Sequence, residues 1–182
     1  VDTTASVDVT AAMKVYLGDG TGAFTEASIL PGVLGLEVGD VNEDGNLDLI
    51  DPGGTVFFGR GDGTFASKTN ALPSLEAVYT SELADVNEDG HLDLFVLGEA
   101  VDGFDTTISL FLGDGTGRFT KAGLSLPGLG ASDTPQSTSF GDIDGDGHLD
   151  FVVNFEDGTT GFPATSTYLG DGSGGFTRVD AG

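Results

Sequence analysis

"DVNEDGNLD", residues 40–48, is the stretch that decides the fold, because it returns as "DVNEDGHLD" at residues 85–93 and as "DIDGDGHLD" at residues 142–150. We call these copies the first, second and third acidic loops and number their positions one to nine. Each loop holds four acidic residues. Two carboxylates about 4 Å apart repel by about 1 kcal/mol in water, and by more where water is excluded. The crowding therefore predicts a cation at each loop.

A second motif alternates with the acidic loops and occurs four times. It reads "YLGDGTGAFT" from Tyr16, "FFGRGDGTFA" from Phe57, "LFLGDGTGRFT" from Leu110 and "YLGDGSGGFT" from Tyr168. In every copy six positions separate the first glycine from the closing phenylalanine, which predicts a turn of fixed geometry. We call these segments the glycine hairpins. Their closing phenylalanines are expected to fill the space between neighbouring sheets; they are Phe24, Phe65, Phe119 and Phe176.

Short runs of β-forming residues, such as "LDLFV" and "KVYLG", flank both motifs. No capped segment of ten or more residues keeps a helical periodicity, and 31 glycines interrupt the chain. Each repeat predicts one strand ending at the acidic loop, a second leaving it, a third entering the glycine hairpin and a fourth leaving it. The sequence thus predicts an all-β fold, a β-propeller built from four-stranded antiparallel blades.

The predicted organisation is a single propeller, or a segment of one, over residues 1–182. A partial N-terminal unit covers about residues 1–30 and has a glycine hairpin without an acidic loop, while three complete units cover about 31–72, 73–127 and 128–182. The chain begins at Val1, which we interpret as a processed form or a piece of a longer protein. An open array leaves bare strand edges, so we expect copies to associate and complete a ring.

The acidic loop reads D-x-[DN]-x-D-G-x-x-D, with oxygen-bearing side chains at positions one, three, five and nine. Glycine at position six permits a sharp bend, and the carbonyl of position seven can add another oxygen, so the spacing predicts a calcium site. Three Ca²⁺ ions are therefore expected. The predicted ligands are Asp40, Asn42, Asp44, Asn46 (carbonyl) and Asp48 in the first loop, Asp85, Asn87, Asp89, His91 (carbonyl) and Asp93 in the second, and Asp142, Asp144, Asp146, His148 (carbonyl) and Asp150 in the third.

Other metal sites fit this pattern less well. An EF-hand needs glutamate at position twelve, where this chain has Asp51, Val96 and Val153. Magnesium prefers strict octahedral geometry and keeps its waters, whereas a cage of carboxylate, amide and carbonyl oxygens suits calcium. The side chains of His91 and His148 are expected at the surface rather than on a metal. The remaining alternative is an acidic turn that is only solvated.

The charge and the amino-acid composition of the chain argue against several classes of function. A formal net charge of −24, from 30 acidic and 6 basic residues, argues against nucleic acid or an anionic membrane as a partner. The chain has no cysteine, and no apolar run approaches the roughly 18 residues of a membrane span, so we expect no membrane insertion. No constellation of base, nucleophile and open metal site is visible, and we expect the protein not to be an enzyme.

The segments "GDVNEDGNLDLI", "ADVNEDGHLDLFV" and "FGDIDGDGHLDFVV", together with the glycine hairpins, resemble the FG-GAP and VCBS repeats of integrin α-subunit-like β-propellers. The resemblance runs from about Tyr16 to Thr177. It implies a calcium-stabilised propeller, usually extracellular or at the cell surface, that serves adhesion or recognition without catalysis. Propeller lectins with similar repeats extend this to carbohydrate binding. Such propellers usually have seven blades and about twice this length, so ring closure stays open.

Three functional hypotheses follow: an adhesion or protein-recognition module, a calcium-dependent lectin, and a purely structural repeat of a larger surface protein. The expected partner is a protein or a glycan. The tripeptide "RGD" at residues 60–62 lies inside the second glycine hairpin, where an adhesive role competes with ordinary turn chemistry.

Overall fold

The computed structural model describes residues 12–33, 37–51, 54–68, 72, 78–99, 106–124, 126, 127, 129 and 132–179. Fourteen strands lie within these residues, and none of the described residues is helical. The strands are β1 (Ala12–Gly18), β2 (Phe24–Pro31), β3 (Glu37–Gly39), β4 (Asp48–Ile50), β5 (Val56–Gly59), β6 (Phe65–Lys68), β7 (Val78–Ala84), β8 (Asp93–Glu99), β9 (Thr106–Gly113), β10 (Phe119–Lys121), β11 (Thr134–Gly141), β12 (Asp150–Glu156), β13 (Pro163–Gly170) and β14 (Phe176–Val179).

The strands form four antiparallel sheets, each with its strands in chain order. Sheet 1 contains β1 and β2, sheet 2 contains β3–β6, sheet 3 contains β7–β10 and sheet 4 contains β11–β14. The predicted all-β class and the predicted strand path through acidic loop and glycine hairpin are confirmed for sheets 2, 3 and 4. Sheet 1 has two strands in the described part of the chain, and they carry the first glycine hairpin. The assembly of these sheets into a ring stays a prediction.

Consecutive sheets pack face to face through two buried clusters. The cluster between sheets 2 and 3 contains Val41, Ile50, Val56, Leu72, Leu94, Val96, Phe111 and Phe119. The cluster between sheets 3 and 4 contains Val86, Phe95, Leu97, Ile108, Leu110, Phe151, Val153, Phe155, Tyr168 and Phe176. Because side chains alternate along a strand, β8 contributes Leu94 and Val96 to the first cluster and Phe95 and Leu97 to the second. Sheet 3 is therefore buried on both faces.

The glycine hairpins of sheets 2 and 3 each contact the preceding sheet. The amide of Gly117, in the hairpin of sheet 3, donates to the carbonyl of Val41 at 2.8 Å, and the Gly117 Cα packs so closely on the Phe58 ring that a Cβ there would lie 2.6 Å from it. In sheet 2 the carbonyl of Gly63 accepts a 2.6 Å hydrogen bond from Ser28 of sheet 1. The hairpins thus contribute to packing between sheets as well as to turns within them.

The closing phenylalanines were predicted to be core residues, and the outcome depends on the sheet. Phe119 and Phe176 are 7% and 9% exposed, and Phe65 is half-buried. Phe24 is 71% exposed, so the prediction is wrong for sheet 1. The physical reason is that Phe119 and Phe176 lie in clusters with residues of the preceding sheet, whereas no sheet precedes sheet 1 among the described residues. Between sheets 1 and 2 a groove of about 640 Å³ remains, and it is bordered by Leu17, Val38 and Leu47.

Candidate metal centres

Each acidic loop connects the first two strands of its sheet. The loop is closed at its base by a β-pair between the residue before position one and the residue at position nine. These pairs are Gly39 with Asp48, Ala84 with Asp93 and Gly141 with Asp150. Position nine is therefore the first residue of a buried strand, and positions one to eight project beyond the sheet. The sequence pattern, an acidic loop running directly into a β-run, produces this arrangement.

The loop backbone bends where the sequence predicts it. The glycines at position six, Gly45, Gly90 and Gly147, have φ values of 88°, 90° and 95°, in the left-handed region that favours glycine. Position four is also left-handed, with φ of 59° at Glu43 and 57° at Glu88. Non-glycine residues adopt this region infrequently. The bend turns the side chains of positions one, three and five toward the inside of the loop.

The third loop brings three carboxylates together. One oxygen from each of Asp142, Asp144 and Asp146 lies within 4.8 Å of the others, so this cluster can hold a metal ion. Backbone amides orient the group: Gly145 and Gly147 donate to Asp142 at 2.7 and 3.2 Å. All three side chains are exposed, and carboxylate oxygens are the ligands that hard divalent cations prefer.

The first and second loops also place the side chains of positions one, three and five beside one another, with asparagine at position three. In the first loop the amides of Asp44 and Gly45 donate to the Asp40 carboxylate at 3.1 and 2.9 Å, and Asn42 Nδ2 donates to Asp44 at 3.0 Å. The hydrogen bond from the Asn42 side chain is the main reason that the pKa of Asp44 lies below its ordinary value. The second loop has the matching bonds at Asp85, Asn87 and Asp89. The predicted ligands at positions one, three and five thus adjoin one another in every loop.

The aspartate at position nine is buried in every loop. Asp48, Asp93 and Asp150 are each 0% exposed. The pKa of Asp48 and of Asp93 is raised, mainly because burial disfavours the charged form, while hydrogen bonds from backbone amides oppose the rise. Each carboxylate accepts from two amides: Val41 (3.1 Å) and Gly59 (2.9 Å) to Asp48, Val86 (3.1 Å) and Gly113 (2.9 Å) to Asp93, Ile143 (2.7 Å) and Gly170 (2.8 Å) to Asp150.

These bonds connect the acidic loop to the glycine hairpin of the same sheet. One carboxylate oxygen of position nine accepts from the backbone amide of position two of the loop. The other accepts from the backbone amide of the first glycine of the hairpin. A carboxylate oxygen has two lone pairs, so these contacts leave capacity for a metal. The connection was not foreseen from the sequence. The signal that could have revealed it is the constant first glycine: a Cβ on Gly59, Gly113 or Gly170 would lie 2.1–2.2 Å from the carbonyl oxygen of position eight.

The histidines at position seven of the second and third loops contact the preceding sheet. His91 of the second loop bonds through Nδ1 to Glu43 of the first, and His148 of the third loop bonds in the same way to Glu88 of the second. The pKa of each imidazole is raised, chiefly by this hydrogen bond to the carboxylate, whereas desolvation lowers it. Both histidine side chains are about one-third exposed, as expected for surface residues, but their bridge between sheets was missed.

The "RGD" tripeptide forms part of an exposed turn, and both of its charged side chains bond within that turn. Arg60 Nη1 donates to the carbonyl of Phe65 at 3.1 Å, and Asp62 accepts from the amide and hydroxyl of Thr64 at 2.9 and 2.6 Å. The side chain of Asn46 lies against Gly61. This geometry favours a structural role of the tripeptide in stabilising the turn over a role in adhesion.

Fold and loops together define an all-β repeat protein whose four-stranded sheets each carry an acidic loop at one end. Comparison with known families agrees, because residues 85–153 match the FG-GAP-like repeat. The matched segment begins at position one of the second acidic loop and ends in the strand that follows the third. It therefore contains two of the three loops. A search of curated proteins gave no match to the chain. Among the described residues there is no helix long and apolar enough to cross a membrane.

Proposed function

We propose that this protein is a non-catalytic calcium-binding module for extracellular adhesion or protein recognition, in which Ca²⁺ stabilises propeller-type blades. The observation that supports this most directly is the convergence of Asp142, Asp144 and Asp146 within 4.8 Å, in a loop whose spacing recurs twice more in the chain. The match of residues 85–153 to the FG-GAP-like repeat supports it independently. Repeats of this kind are typically extracellular, where calcium is abundant.

The donor set favours calcium over other cations. Every side chain that would hold the ion offers oxygen, and the two histidines bond to glutamates of neighbouring loops instead. Positions one, three and five, the carbonyl of position seven and the carboxylate of position nine would bind the ion in each loop. A bound Ca²⁺ would supply the positive charge that the clustered carboxylates lack. Three ions would change the formal charge from −24 to −18.

A metal count tests this proposal. Protein dialysed against Ca²⁺ is expected to bind three ions, and Asp44→Ala, Asp89→Ala and Asp146→Ala are each expected to lose one. Asp62→Ala, which removes no predicted ligand and whose carboxylate accepts from Thr64 in its own turn, is the matched control and should keep three. Isothermal titration with Mg²⁺ as competitor separates the two ions. Wild-type protein that binds no calcium in this titration would contradict the proposal.

The partner class is tested separately. The protein is applied to a glycan array in the presence of calcium and in the presence of a chelator, and bound glycans are detected. A glycan-binding protein should give a signal on this array, whereas a protein-binding module should not. Binding to glycans only in calcium would favour the lectin alternative. The tip of the loop between β12 and β13 is a candidate contact surface, because Phe162 there is 71% exposed. Phe162→Ala should then weaken ligand binding without changing the calcium count.

A further inference from the structure

The two glutamate–histidine bridges between acidic loops start at a residue that lies between predicted metal ligands. Position four is Glu43 in the first loop and Glu88 in the second, and the predicted ligands of positions three and five flank it. Both glutamates have a left-handed backbone, which residues other than glycine keep only where the surrounding structure fixes it. An ion that fixes positions three and five would therefore also fix the glutamate between them.

Each bridge ends at a residue that belongs to the next predicted site. The Glu43 carboxylate bonds to Nδ1 of His91, and the Glu88 carboxylate bonds to Nδ1 of His148. The carbonyl of each histidine is a predicted ligand of its own loop. Its amide donates to the aspartate at position five, at 2.9 Å in the second loop and 2.8 Å in the third. The imidazole therefore connects the backbone of one predicted site to a side chain of the preceding loop.

The glycine hairpin of sheet 3 contacts both of the loops that the first bridge connects. The amide of Gly113 donates to Asp93 of the second loop at 2.9 Å, and the amide of Gly117 donates to the carbonyl of Val41 in the first loop at 2.8 Å. Between them, Gly115 lies against the bridge itself: a Cβ there would lie 2.5 Å from the imidazole and 2.8 Å from the glutamate carboxylate. One hairpin thus contacts the first loop, the second loop and the bridge between them.

The hairpin of sheet 4 repeats this arrangement for the second bridge. The amide of Gly170 donates to Asp150 of the third loop at 2.8 Å. A Cβ on Gly172 would lie 2.6 Å from the imidazole and 2.9 Å from the carboxylate of the bridge. A Cβ on Gly174 would lie 3.8 Å from the Asn87 side chain in the second loop. The same contacts therefore connect the first loop to the second and the second loop to the third.

The first loop differs from the other two because it has asparagine at position seven. Asn46 Nδ2 donates to Asp44 of its own loop at 2.9 Å, and the Asn46 side chain lies against Gly61 of its own hairpin. The third loop has Gly145 at position four, without a carboxylate. The second loop is therefore the one that contributes a histidine to one bridge and a glutamate to the other.

We propose that the three acidic loops bind calcium cooperatively and that the glutamate–histidine bridges, held against the glycine hairpins, couple them. This inference rests on the proposed calcium binding. Occupation of the first loop favours the Glu43 backbone that the bridge requires, and the bridge in turn holds His91, whose carbonyl belongs to the second site. Coupling between binding sites is reciprocal, so occupation of the second loop also favours binding at the first. The second loop depends on both of its neighbours.

A calcium titration of the whole chain followed by NMR tests the coupling, because position six is a glycine in every loop. The amide signals of Gly45, Gly90 and Gly147 give one binding curve for each loop. Asp44→Ala removes a predicted ligand of the first loop, and it should weaken binding in the second loop by at least about fivefold. Binding in the third loop should weaken by less, since the bridges connect it to the first loop only through the second.

His91→Asn tests the bridge with a matched substitution. Asparagine is the residue that the first loop has at position seven, and it keeps the backbone carbonyl while removing the imidazole. In this background Asp44→Ala should change the calcium affinity of the second loop by less than about twofold. His148→Asn removes the imidazole of the other bridge. In that background Asp44→Ala should keep its full effect on the second loop.

The outcomes distinguish failure of the coupling from failure of calcium binding. Calcium binding in all three loops, with no effect of Asp44→Ala on the second loop, would overturn the coupling and leave the proposed function standing. An equal effect of Asp44→Ala in the wild type and in His91→Asn would overturn the role of the bridge. A chain that binds no calcium in any loop would overturn the proposed function and the coupling with it.

Discussion

Gly113 shows at the scale of one residue how closely the two sequence motifs meet. A Cβ at this position would lie 2.2 Å from the carbonyl oxygen of Leu92. We expect Gly113→Ala to destabilise the fold by roughly 2–4 kcal/mol, because backbone on both sides must move. Gly123→Ala is the control, since nothing lies within 4 Å of its Cβ, and it should change stability by less than about 0.5 kcal/mol. Urea denaturation measures both, and equal midpoints would contradict the prediction.

The contribution of the buried Asp93 carboxylate to stability can be measured separately from metal binding. Its two oxygens accept the amides of Val86 and Gly113, and asparagine can accept only one of them without placing an NH₂ group against an amide hydrogen. In EDTA, so that metal loss makes no contribution, Asp93→Asn should reduce the free energy of unfolding by about 1–3 kcal/mol, because a buried amide left without an acceptor costs more than removal of the buried charge gains. Asp62→Asn, in an exposed turn, should have little effect. Equal stability of the two variants would refute this role for Asp93.

At the scale of the element, successive acidic loops are connected by the bonds of Glu43 with His91 and of Glu88 with His148. We expect Glu43→Gln and His91→Gln each to lower the melting temperature and the double variant to lower it by less than the sum, because either change already breaks the bond. The double variant Glu43→Gln with His148→Gln changes two residues that do not contact each other. Its change in melting temperature should equal the sum of the two single changes. Additive effects in the contacting pair would contradict the bridge.

Glu37 in β3 connects sheets 2 and 3 by accepting a 2.6 Å hydrogen bond from Ser81 of β7. Burial raises the pKa of Glu37, and the Ser81 bond lowers it by less. A folded pKa above the unfolded value means that Glu37 supports folding at low pH and that this support is lost as pH rises through the folded pKa. Glu37→Gln can still accept from Ser81 without carrying a charge. It should therefore gain on the order of 0.5 kcal/mol at pH 7.5.

The pH profile of Glu37→Gln distinguishes this explanation from better packing. The gain in melting temperature should shrink as pH falls through the raised folded pKa of Glu37 and be largely lost by about pH 4, where Glu37 of the wild type is neutral in both the folded and the unfolded state. Ser81→Ala should destabilise both proteins. A gain that is constant between pH 4 and pH 8 would show that charge burial is not the cause.

At the scale of the whole molecule, the net charge of −24 opposes the compact state, and 12 of the 30 acidic residues lie in the three loops. In EDTA, raising NaCl from about 50 mM to about 1 M should raise the melting temperature, because screening shortens the range of the repulsion. In calcium the same change should have a smaller effect, since the loop charges are already compensated. Equal salt responses with and without calcium would contradict this account.

Much of this architecture was predictable because its signals are local and repeated. The nine-residue loop and the six-position glycine spacing were sufficient to predict the strand path of sheets 2, 3 and 4. The bond of Glu43 with His91 was not predictable, since the two residues are 48 positions apart and no local pattern pairs them. The exposure of Phe24 was missed for a related reason: its motif matches that of Phe176, and the difference lies in the neighbouring strands.

The bond between position nine and the hairpin glycine spans 11 residues in sheet 2 and 20 residues in sheets 3 and 4. The segment that connects the second strand to the third therefore differs in length between sheets. The aspartate at position nine and the glycine amide that it brings together stay the same. This makes that connection the natural point for grafting foreign peptides. A sequence displayed between β12 and β13 would be presented next to an unchanged scaffold.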